Sequence, residues 1–222
     1  MPKENNIFIP LKEVKLECEL NLPPDASSLV LFAHGSGSGR HSPRNQLVAR
    51  TLSRGGKTGT LLFDLLTAEE EQAEAYTRHL RFNIPLLAER LIAVTRWALD
   101  KVTTRDLNVG YFGSSTGAAA ALVAAAELGS TIGAVVSRGG RPDLAGDSLA
   151  RVTAPTLLIV GGNDKPVISL NEEAYYLLHC ERALRIVPGA SHLFEEPGTL
   201  EKVANMAAEW FDGHLHPLQQ HV

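Results

Sequence analysis

Six short apolar runs, separated by helical patterns, constrain the fold of this chain more than any other feature. The runs are Leu29–Ala33, Thr60–Phe63, Leu107–Phe112, Ile132–Val136, Thr156–Val160 and Ala183–Val187. Continuous apolar runs of this length are typical of strands that are buried on both faces of a parallel sheet. The helical patterns are Arg44–Arg54, Ile84–Val102, Gly117–Leu128, Leu170–Leu178 and Leu200–Phe211. Strands that alternate with helices predict an α/β fold with right-handed crossovers and helices on both faces of the sheet.

The N-terminal part has a different texture. In Ile7–Leu11 and Val14–Leu22, apolar residues alternate with polar or charged ones, which predicts a pair of half-buried antiparallel strands. Residues 23–25, Pro-Pro-Asp, end this pattern. No composition break divides the chain, so we expect one domain over residues 1–222, with a polar tail at 213–222 that frays.

Composition argues against several classes of partner. The formal net charge of −4 provides no general attraction to nucleic acid or anionic membranes. Cys18 and Cys180 are too few for a disulfide framework and lack the spacing of a metal site. The polar N-terminus has no signal-peptide core, and the apolar run Ala118–Ala126 is shorter than the roughly 20 residues of a membrane span. We therefore expect a cytoplasmic protein with neither a nucleic-acid nor a membrane partner.

Residues 113–117, Gly-Ser-Ser-Thr-Gly, match the G-x-S-x-G pattern of a nucleophile elbow. The match follows a predicted strand directly and leads into an Ala-rich predicted helix, which is the setting that the elbow requires. Gly113 and Gly117 would prevent collisions around the sharp turn that presents Ser115. The alternative is a Gly-Ser turn in which Ser115 only caps the helix.

A nucleophilic serine needs a general base, and the base needs a carboxylate to orient it. His192 follows the last predicted strand, and Asp164 follows the strand before it. The resulting chain order of Ser115, Asp164 and His192 is the order of the α/β-hydrolase triad. Asp143 and Asp147 are alternative acids, although they come one strand too early. A helix cap or a turn is the alternative role for Asp164.

The oxyanion of an acyl transfer reaction needs two backbone donors. One candidate is the N–H of Thr116, at the positive end of the predicted helix. The other is the N–H of Ser36, in the glycine-rich loop of residues 33–39 that follows a predicted strand. This loop is not a dinucleotide fingerprint, because the glycine spacing breaks at Arg40, and it lacks the Lys-Ser/Thr pair of a P-loop.

Several basic side chains are expected at the carboxyl edge of the sheet, where ligands bind to α/β folds. The candidate substrate-binding residues are His34, Arg40, Arg138 and Arg141, with His41 and Arg44 close by in sequence. A guanidinium group suits a carboxylate or a phosphate, so these residues favour an anionic substrate. Pairing with nearby acidic residues, or simple exposure to water, is the alternative.

The residues that surround Ser115 give the chain a family resemblance over roughly residues 28–212. His34-Gly35, the elbow, Asp164 and His192 resemble the α/β-hydrolase superfamily, and the absence of a large cap makes the chain similar to the dienelactone hydrolase family. The resemblance implies hydrolysis of an ester, lactone or related acyl bond of a small molecule, with no cofactor and no metal. Dienelactone hydrolases proper have a cysteine at the elbow, so Ser115 favours a more general serine esterase.

Other functions stay open at this stage. A non-catalytic binding protein could use the same scaffold, since a fold does not determine a function. An acyltransferase, a thioesterase or a peptidase could use the same triad. Residues 66–83 and 138–152 are long enough to form functional loops or lids, and the sequence does not determine the oligomeric state.

Overall fold

The computed structural model describes residues 6–77, 79–101 and 103–215, and its central feature is a sheet of eight strands. The strands are β1 (Asn6–Pro10), β2 (Lys15–Asn21), β3 (Ser28–Ala33), β4 (Thr58–Phe63), β5 (Asn108–Ser114), β6 (Ile132–Arg138), β7 (Thr156–Gly161) and β8 (Arg182–Val187). They are ordered β1-β2-β4-β3-β5-β6-β7-β8. β1 and β2 pair antiparallel, β2 joins β4 antiparallel, and all the other pairs are parallel. The predicted α/β-hydrolase fold with antiparallel N-terminal strands is confirmed.

Helices cover both faces of the sheet. They are α1 (Pro43–Ser53), α2 (Ala68–Thr77), α3 (Ile84–Leu99), α4 (Thr116–Leu128), α5 (Lys165–Leu177) and α6 (Thr199–His214), with 3-10 helices over Leu80–Phe82, Gly129–Thr131 and Pro142–Arg151. Helices α3, α4 and α5 pack on one face, and α1 and α6 pack on the other. Along β3, Leu29 and Leu31 belong to the first core, whereas Val30 and Phe32 belong to the second. This alternation explains why the strands have continuous apolar sequences.

Helix starts follow local sequence signals. The Ser42 hydroxyl accepts a hydrogen bond from Asn45 N (3.4 Å) at the start of α1. Asn83 caps α3 in the same way, accepting from Leu86 N at 3.2 Å. Helix α5 begins at Lys165, five residues before the predicted start at Leu170. Pro166 is tolerated in its first turn, where a missing N–H costs no intrahelical hydrogen bond.

Some sequence expectations differ from the structure. The predicted run in β8 forms an edge strand, and most of it is partly or fully exposed rather than buried on both faces. Residues 66–83 and 138–152 are not open loops, because the first contains α2 and the second contains 3-10 turns interrupted at Gly146 (φ 51°). Helix α6 extends to His214, within the tail expected to fray, while residues 216–222 and Val102 lie outside the described residues.

No helix in the part of the chain that the structure describes combines the length and the apolar character needed to cross a membrane. The loops after β3, β5, β6, β7 and β8 leave the carboxyl edge of the sheet. The predicted site residues lie in these loops, at the last residue of β6 or at the first residue of α4.

The contact between α4 and the end of β3 leaves no space for a side chain at Gly117. A Cβ atom there would lie 2.2 Å from Ala33 O and 2.4 Å from His34 O. Gly117→Ala is therefore expected to lower the free energy of unfolding by about 3 kcal/mol or more, since backbone atoms would have to move. Thermal or urea unfolding measures this loss.

Gly213→Ala is the matched control, because a Cβ atom at this helical position meets no atom within 4 Å. It should leave the stability unchanged or raise it by up to about 1 kcal/mol. Equal effects of the two substitutions would contradict the close approach of α4 to β3.

Candidate active site

Ser115 occupies the sharp turn between β5 and α4, where its backbone has φ 51° and ψ −121°. This is a sparsely populated conformation for a residue other than glycine, and the surrounding packing must hold it. A Cβ atom at Gly113 would lie 2.5 Å from Ala118 Cα, and one at Gly35 would lie 2.9 Å from Ser115 Cβ. Ser115 stands at the N-cap position of α4, but its side chain makes no capping hydrogen bond. The hydroxyl is thus not engaged by the helix.

His192 and Asp164 are brought together by the loops after β8 and β7. His192 Nδ1 lies 2.6 Å from Asp164 Oδ2. Since a carboxylate accepts here, Nδ1 carries the proton and Nε2 is left as the acceptor. Asp164 is also at an N-cap position, yet its side chain makes no capping bond. The Asp164 side chain is 14% exposed and the His192 side chain 38% exposed, so the acid is sheltered while the base reaches the surface.

The two loops are held together by backbone contacts. Asn163 N donates to Ala190 O (2.9 Å), and the Asn163 side chain donates to Gly189 O (2.9 Å). A Cβ atom at Gly161 would lie 2.4 Å from Ala190 O, so only glycine permits this approach. The separation of Asp164 from His192 therefore depends on backbone packing between the loops.

Ser115 and His192 line one pocket of about 170 Å³. Its other lining residues are Gly35, Ser36, Ser38, Arg44, Ser114, Arg138 and Leu193. Among the described residues, no hydrogen bond joins Ser115 Oγ to the His192 ring. Such bonds are often long in unliganded sites and tighten only when substrate binds.

The two residues that carry the predicted oxyanion donors, Ser36 and Thr116, are in contact. Ser36 N donates to Thr116 Oγ1 (3.1 Å), and the Ser36 and Thr116 hydroxyls are also 3.1 Å apart. Thr116 is the first residue of α4, where a backbone N–H has no intrahelical partner. The Ser36 N–H, which was predicted to bind the oxyanion, thus donates to the Thr116 hydroxyl in this structure.

A buried carboxylate that the sequence analysis did not identify supports the Ser36 loop. Glu74 is fully buried, and its carboxylate accepts from His79 N (2.8 Å), Leu80 N (2.7 Å) and both N and Nε of Arg81 (3.1 and 3.0 Å). The Ser36 hydroxyl in turn donates to Arg81 O (3.3 Å). In the sequence Glu74 ends a run of acidic residues typical of a solvated helix, so only the tertiary structure distinguishes it.

Three of the four predicted substrate-binding residues lie outside the pocket that contains Ser115 and His192. His34 is buried, its Nδ1–H donates to Gly35 O (2.9 Å), and its Nε2 accepts from Leu65 N (2.9 Å). Burial lowers the pKa of His34, which agrees with a neutral ring held by one donor and one acceptor. Arg141 forms a bidentate pair with Asp143 (2.9 and 2.8 Å), and this contact raises the pKa of Arg141.

Arg40 is buried between two carboxylates. Its guanidinium pairs with Asp64 and with Glu17, and its backbone N–H donates to Asp64 Oδ1 (2.7 Å). Arg40 lines a different and larger cleft of about 770 Å³, which the loop of residues 34–39 also borders. The charge of Arg40 is therefore already neutralised within the protein.

Arg138 is the predicted substrate-binding residue that does line the pocket. It ends β6 next to the elbow, and its carbonyl accepts from Ser115 N (3.3 Å). Arg138 is only 6% exposed, and its buried Nε and Nη1 atoms have no hydrogen-bond partner among the residues that the structure describes. Burial, and secondarily the nearby charge of Arg44, lowers the pKa of Arg138 to about 10, so the group is still protonated at neutral pH.

Within residues 6–77, 79–101 and 103–215, no group of three or more His, Cys, Asp or Glu side chains is placed to hold a metal ion. The chemistry available in the pocket comes from a hydroxyl, an imidazole–carboxylate pair, backbone donors and two guanidinium groups. A hydroxyl beside an imidazole that a carboxylate orients is suited to nucleophilic attack on an acyl carbon.

No protein-family model matches the chain, but solved structures are similar to it. A dienelactone hydrolase from Anabaena variabilis is 56% identical, and the match covers 96% of this chain and 99% of that one with a TM-score of 0.94. Est1E from Butyrivibrio proteoclasticus is 17% identical, with a TM-score of 0.78 and coverage of 94% and 98%. Because Est1E is only 17% identical, its similarity supports a shared fold and no shared function.

Two curated sequences from strains of Mycobacterium tuberculosis are also similar. Both are provisionally named phosphoribosyl transferase, and both are 54% identical over 213 residues, or 96% of this chain. The chain spans about half the length of these relatives (47%). Their name therefore describes a protein much longer than the part that is matched.

Arg40→Met tests whether Arg40 is a structural cation. The substitution leaves the carboxylates of Glu17 and Asp64 without their partner in a partly buried place. The free energy of unfolding at neutral pH should fall by about 2 kcal/mol or more, less than for a fully buried pair. Urea unfolding followed by circular dichroism measures the change.

Arg54→Met is the matched control, because Arg54 is exposed just after α1. It should change the unfolding free energy by no more than about 0.5 kcal/mol. An Arg40 variant as stable as this control would show that the ion pairs contribute nothing to the fold.

Proposed function

Because the chain belongs to the dienelactone hydrolase-like family of the α/β-hydrolase superfamily, we propose that it is a serine hydrolase that cleaves an ester, lactone or related acyl bond. The observation that carries the proposal is the strained elbow at Ser115, which shares a pocket with a His192 ring bonded to Asp164. The small pocket favours a substrate with a short acyl group, since pockets for drug-sized ligands are several hundred Å³.

In the first half of the proposed reaction, Ser115 Oγ attacks the acyl carbon. The hydroxyl proton passes to His192 Nε2, the ring atom that does not face Asp164. Asp164 then stabilises the imidazolium and keeps the ring in the productive tautomer. As the tetrahedral intermediate collapses, the bond to the leaving group breaks and His192 gives its proton to the departing oxygen. An acyl-enzyme at Ser115 remains.

The negative charge of the intermediate is assigned to the backbone N–H groups of Ser36 and Thr116. The removal of one such donor typically costs about 3 kcal/mol in the barrier. Because Ser36 N donates to Thr116 Oγ1 in the resting structure, the Thr116 hydroxyl has to rotate away or share this donor when substrate binds. The contact of the Ser36 hydroxyl with Arg81 O supports the loop during this change.

In the second half, water attacks the acyl-enzyme. His192 Nε2 removes a proton from the water, a second tetrahedral intermediate forms, and its collapse returns the proton to Ser115 Oγ and releases the acid. Transfer of the acyl group to another acceptor would use the same intermediate. We assign acyl chemistry rather than phosphoribosyl transfer to this chain, since a serine, an aspartate and a histidine in this chain order and geometry suit acyl transfer.

A fluorophosphonate probe tests the nucleophile. Treatment of the folded protein should modify Ser115 stoichiometrically, because only an activated serine reacts at a useful rate, and peptide mass spectrometry locates the adduct. Ser115→Ala should abolish labelling and esterase activity toward short-chain esters. Ser130→Ala, in an exposed turn, should leave both unchanged.

If the folded wild-type protein stays unlabelled and hydrolyses no short-chain ester, the serine hydrolase assignment is wrong. The scaffold would then serve binding rather than catalysis.

Asp164→Asn tests the proposed role of Asp164 as the carboxylate that orients His192. The amide can no longer stabilise an imidazolium, and it favours the wrong ring tautomer, so kcat should fall roughly 10³- to 10⁴-fold. Steady-state hydrolysis of a short-chain ester measures the loss. Asp147→Asn, at an exposed residue of the 3-10 segment after β6, is the matched control and should leave kcat unchanged. A comparable loss of kcat in the control would contradict the assignment of Asp164 as the acid of the triad.

A further inference from the structure

The pocket beside Ser115 contains a buried cation, Arg138, for which the described part of the chain provides no counter-ion. Arg138 is 6% exposed, and its Nε and Nη1 atoms have no hydrogen-bond partner within residues 6–77, 79–101 and 103–215 although they are shielded from water. A buried charge that is neither paired nor hydrogen-bonded is strongly unfavourable, because it loses hydration and gains nothing in return. The arrangement therefore costs the fold stability unless an anion binds to Arg138.

A second guanidinium group increases this cost. Arg44, on α1, lines the same pocket, and its charge is one of the two causes that lower the pKa of Arg138. Arg44 Nε is itself buried with no hydrogen-bond partner in the described chain, and Nη1 lies 3.5 Å from a carboxylate oxygen of the largely exposed Glu195. Two like charges therefore face one small cavity, with only a loose and solvated carboxylate to offset them.

Two other buried arginines of the described chain, Arg90 and Arg40, are paired with carboxylates. Arg90 pairs with both carboxylate oxygens of Glu70 (2.6 Å each) and donates to Leu65 O (2.6 Å), while Arg40 lies between two carboxylates. The protein thus neutralises a guanidinium where the group serves the fold. Arg138 is not neutralised in this way, and it lines the same pocket as Ser115.

We propose that Arg138 and Arg44 form an anion subsite, and that the substrate is a small ester with a carboxylate or phosphate group close to the scissile bond. This inference rests on the proposed serine hydrolase function. The guanidinium fork binds such groups through charge-assisted hydrogen bonds. The pocket volume of about 170 Å³ leaves space for only a few atoms between the anionic group and the acyl carbon. His34, Arg40 and Arg141 have no part in this subsite.

Binding to the Ser115→Ala protein tests the subsite without any requirement for catalysis. Three ethyl esters serve as probes in isothermal titration: monoethyl malonate, ethyl phosphonoacetate and the neutral ethyl acetoacetate. At least one anionic probe should bind at least about 10-fold more tightly than the neutral probe, and Arg138→Met should weaken its binding about 10- to 100-fold, the range expected for a charge-assisted bond. Tighter binding of the phosphonate indicates a phosphate-bearing substrate, and tighter binding of the malonate indicates a carboxylate.

Arg44→Met should weaken binding of the same anionic probe by a smaller factor, since Arg44 is more exposed. Arg50→Met replaces an exposed arginine of the same helix and should leave binding of this probe unchanged. Stability supplies a second readout. Without anions, Arg138→Met should melt at or above the temperature of the parent protein, because it removes an unpaired buried charge, whereas added monoethyl malonate or ethyl phosphonoacetate should stabilise only the parent.

The subsite is overturned if the three probes bind equally, or if the preference for the anionic probe survives both Arg138→Met and Arg44→Met. It is also overturned if Arg138→Met unfolds the protein while Arg44→Met leaves anion binding unchanged. Failure of the proposed function looks different: the fluorophosphonate does not label Ser115, but the Ser115→Ala protein still binds the anionic probe through Arg138.

Discussion

The close approach of three backbone segments at the centre of the sheet is the constraint on which the rest of this structure depends. Gly117, at the start of α4, lies against the carbonyl groups that end β3, and Gly113 lies against α4. This packing holds Ser115 at a positive φ angle and places the Ser36 loop beside the first turn of the helix. A side chain at either glycine would separate the nucleophile from the predicted oxyanion donors, so the site and the core share one requirement.

The treatment of buried charge distinguishes the residues that support the fold from those that face the pocket. Glu74 accepts four N–H groups and orders the segment that contacts Ser36, and Arg40 and Arg90 are neutralised by carboxylates. Each of these charges meets an opposite charge or N–H donors within the protein, although Nε of Arg40 has no hydrogen-bond partner among the described residues. Arg138 is comparably buried, but the described residues offer it no carboxylate and no hydrogen-bond partner for two of its guanidinium nitrogens. Because desolvation penalises each buried charge, this difference has a cost, which a bound anion would offset.

Much of the architecture was predictable because each signal was local. Continuous apolar runs indicated the strands of a parallel sheet, and alternation indicated the antiparallel pair at the N-terminus. These signals did not show that β8 lies at an edge, because an apolar run has the same appearance whether one neighbour or two cover it. The start of α5 was missed as well, since Pro166 resembles a helix breaker although it lies in the first turn, where proline is tolerated.

By itself the sequence determined the α/β order of elements, the turn that presents Ser115, and the order in which Ser115, Asp164 and His192 follow their strands. Those features depend on neighbouring residues and on chain order. Only the tertiary structure decided which charged side chains meet a partner. The sequence grouped Arg40, Arg138 and Arg141 by their position after strands, whereas the structure pairs Arg40 with Glu17 and Asp64, pairs Arg141 with Asp143, and leaves Arg138 in the pocket. The physical reason is that a salt bridge depends on distances of a few ångströms between residues that are remote in sequence, and local patterns carry no record of those distances.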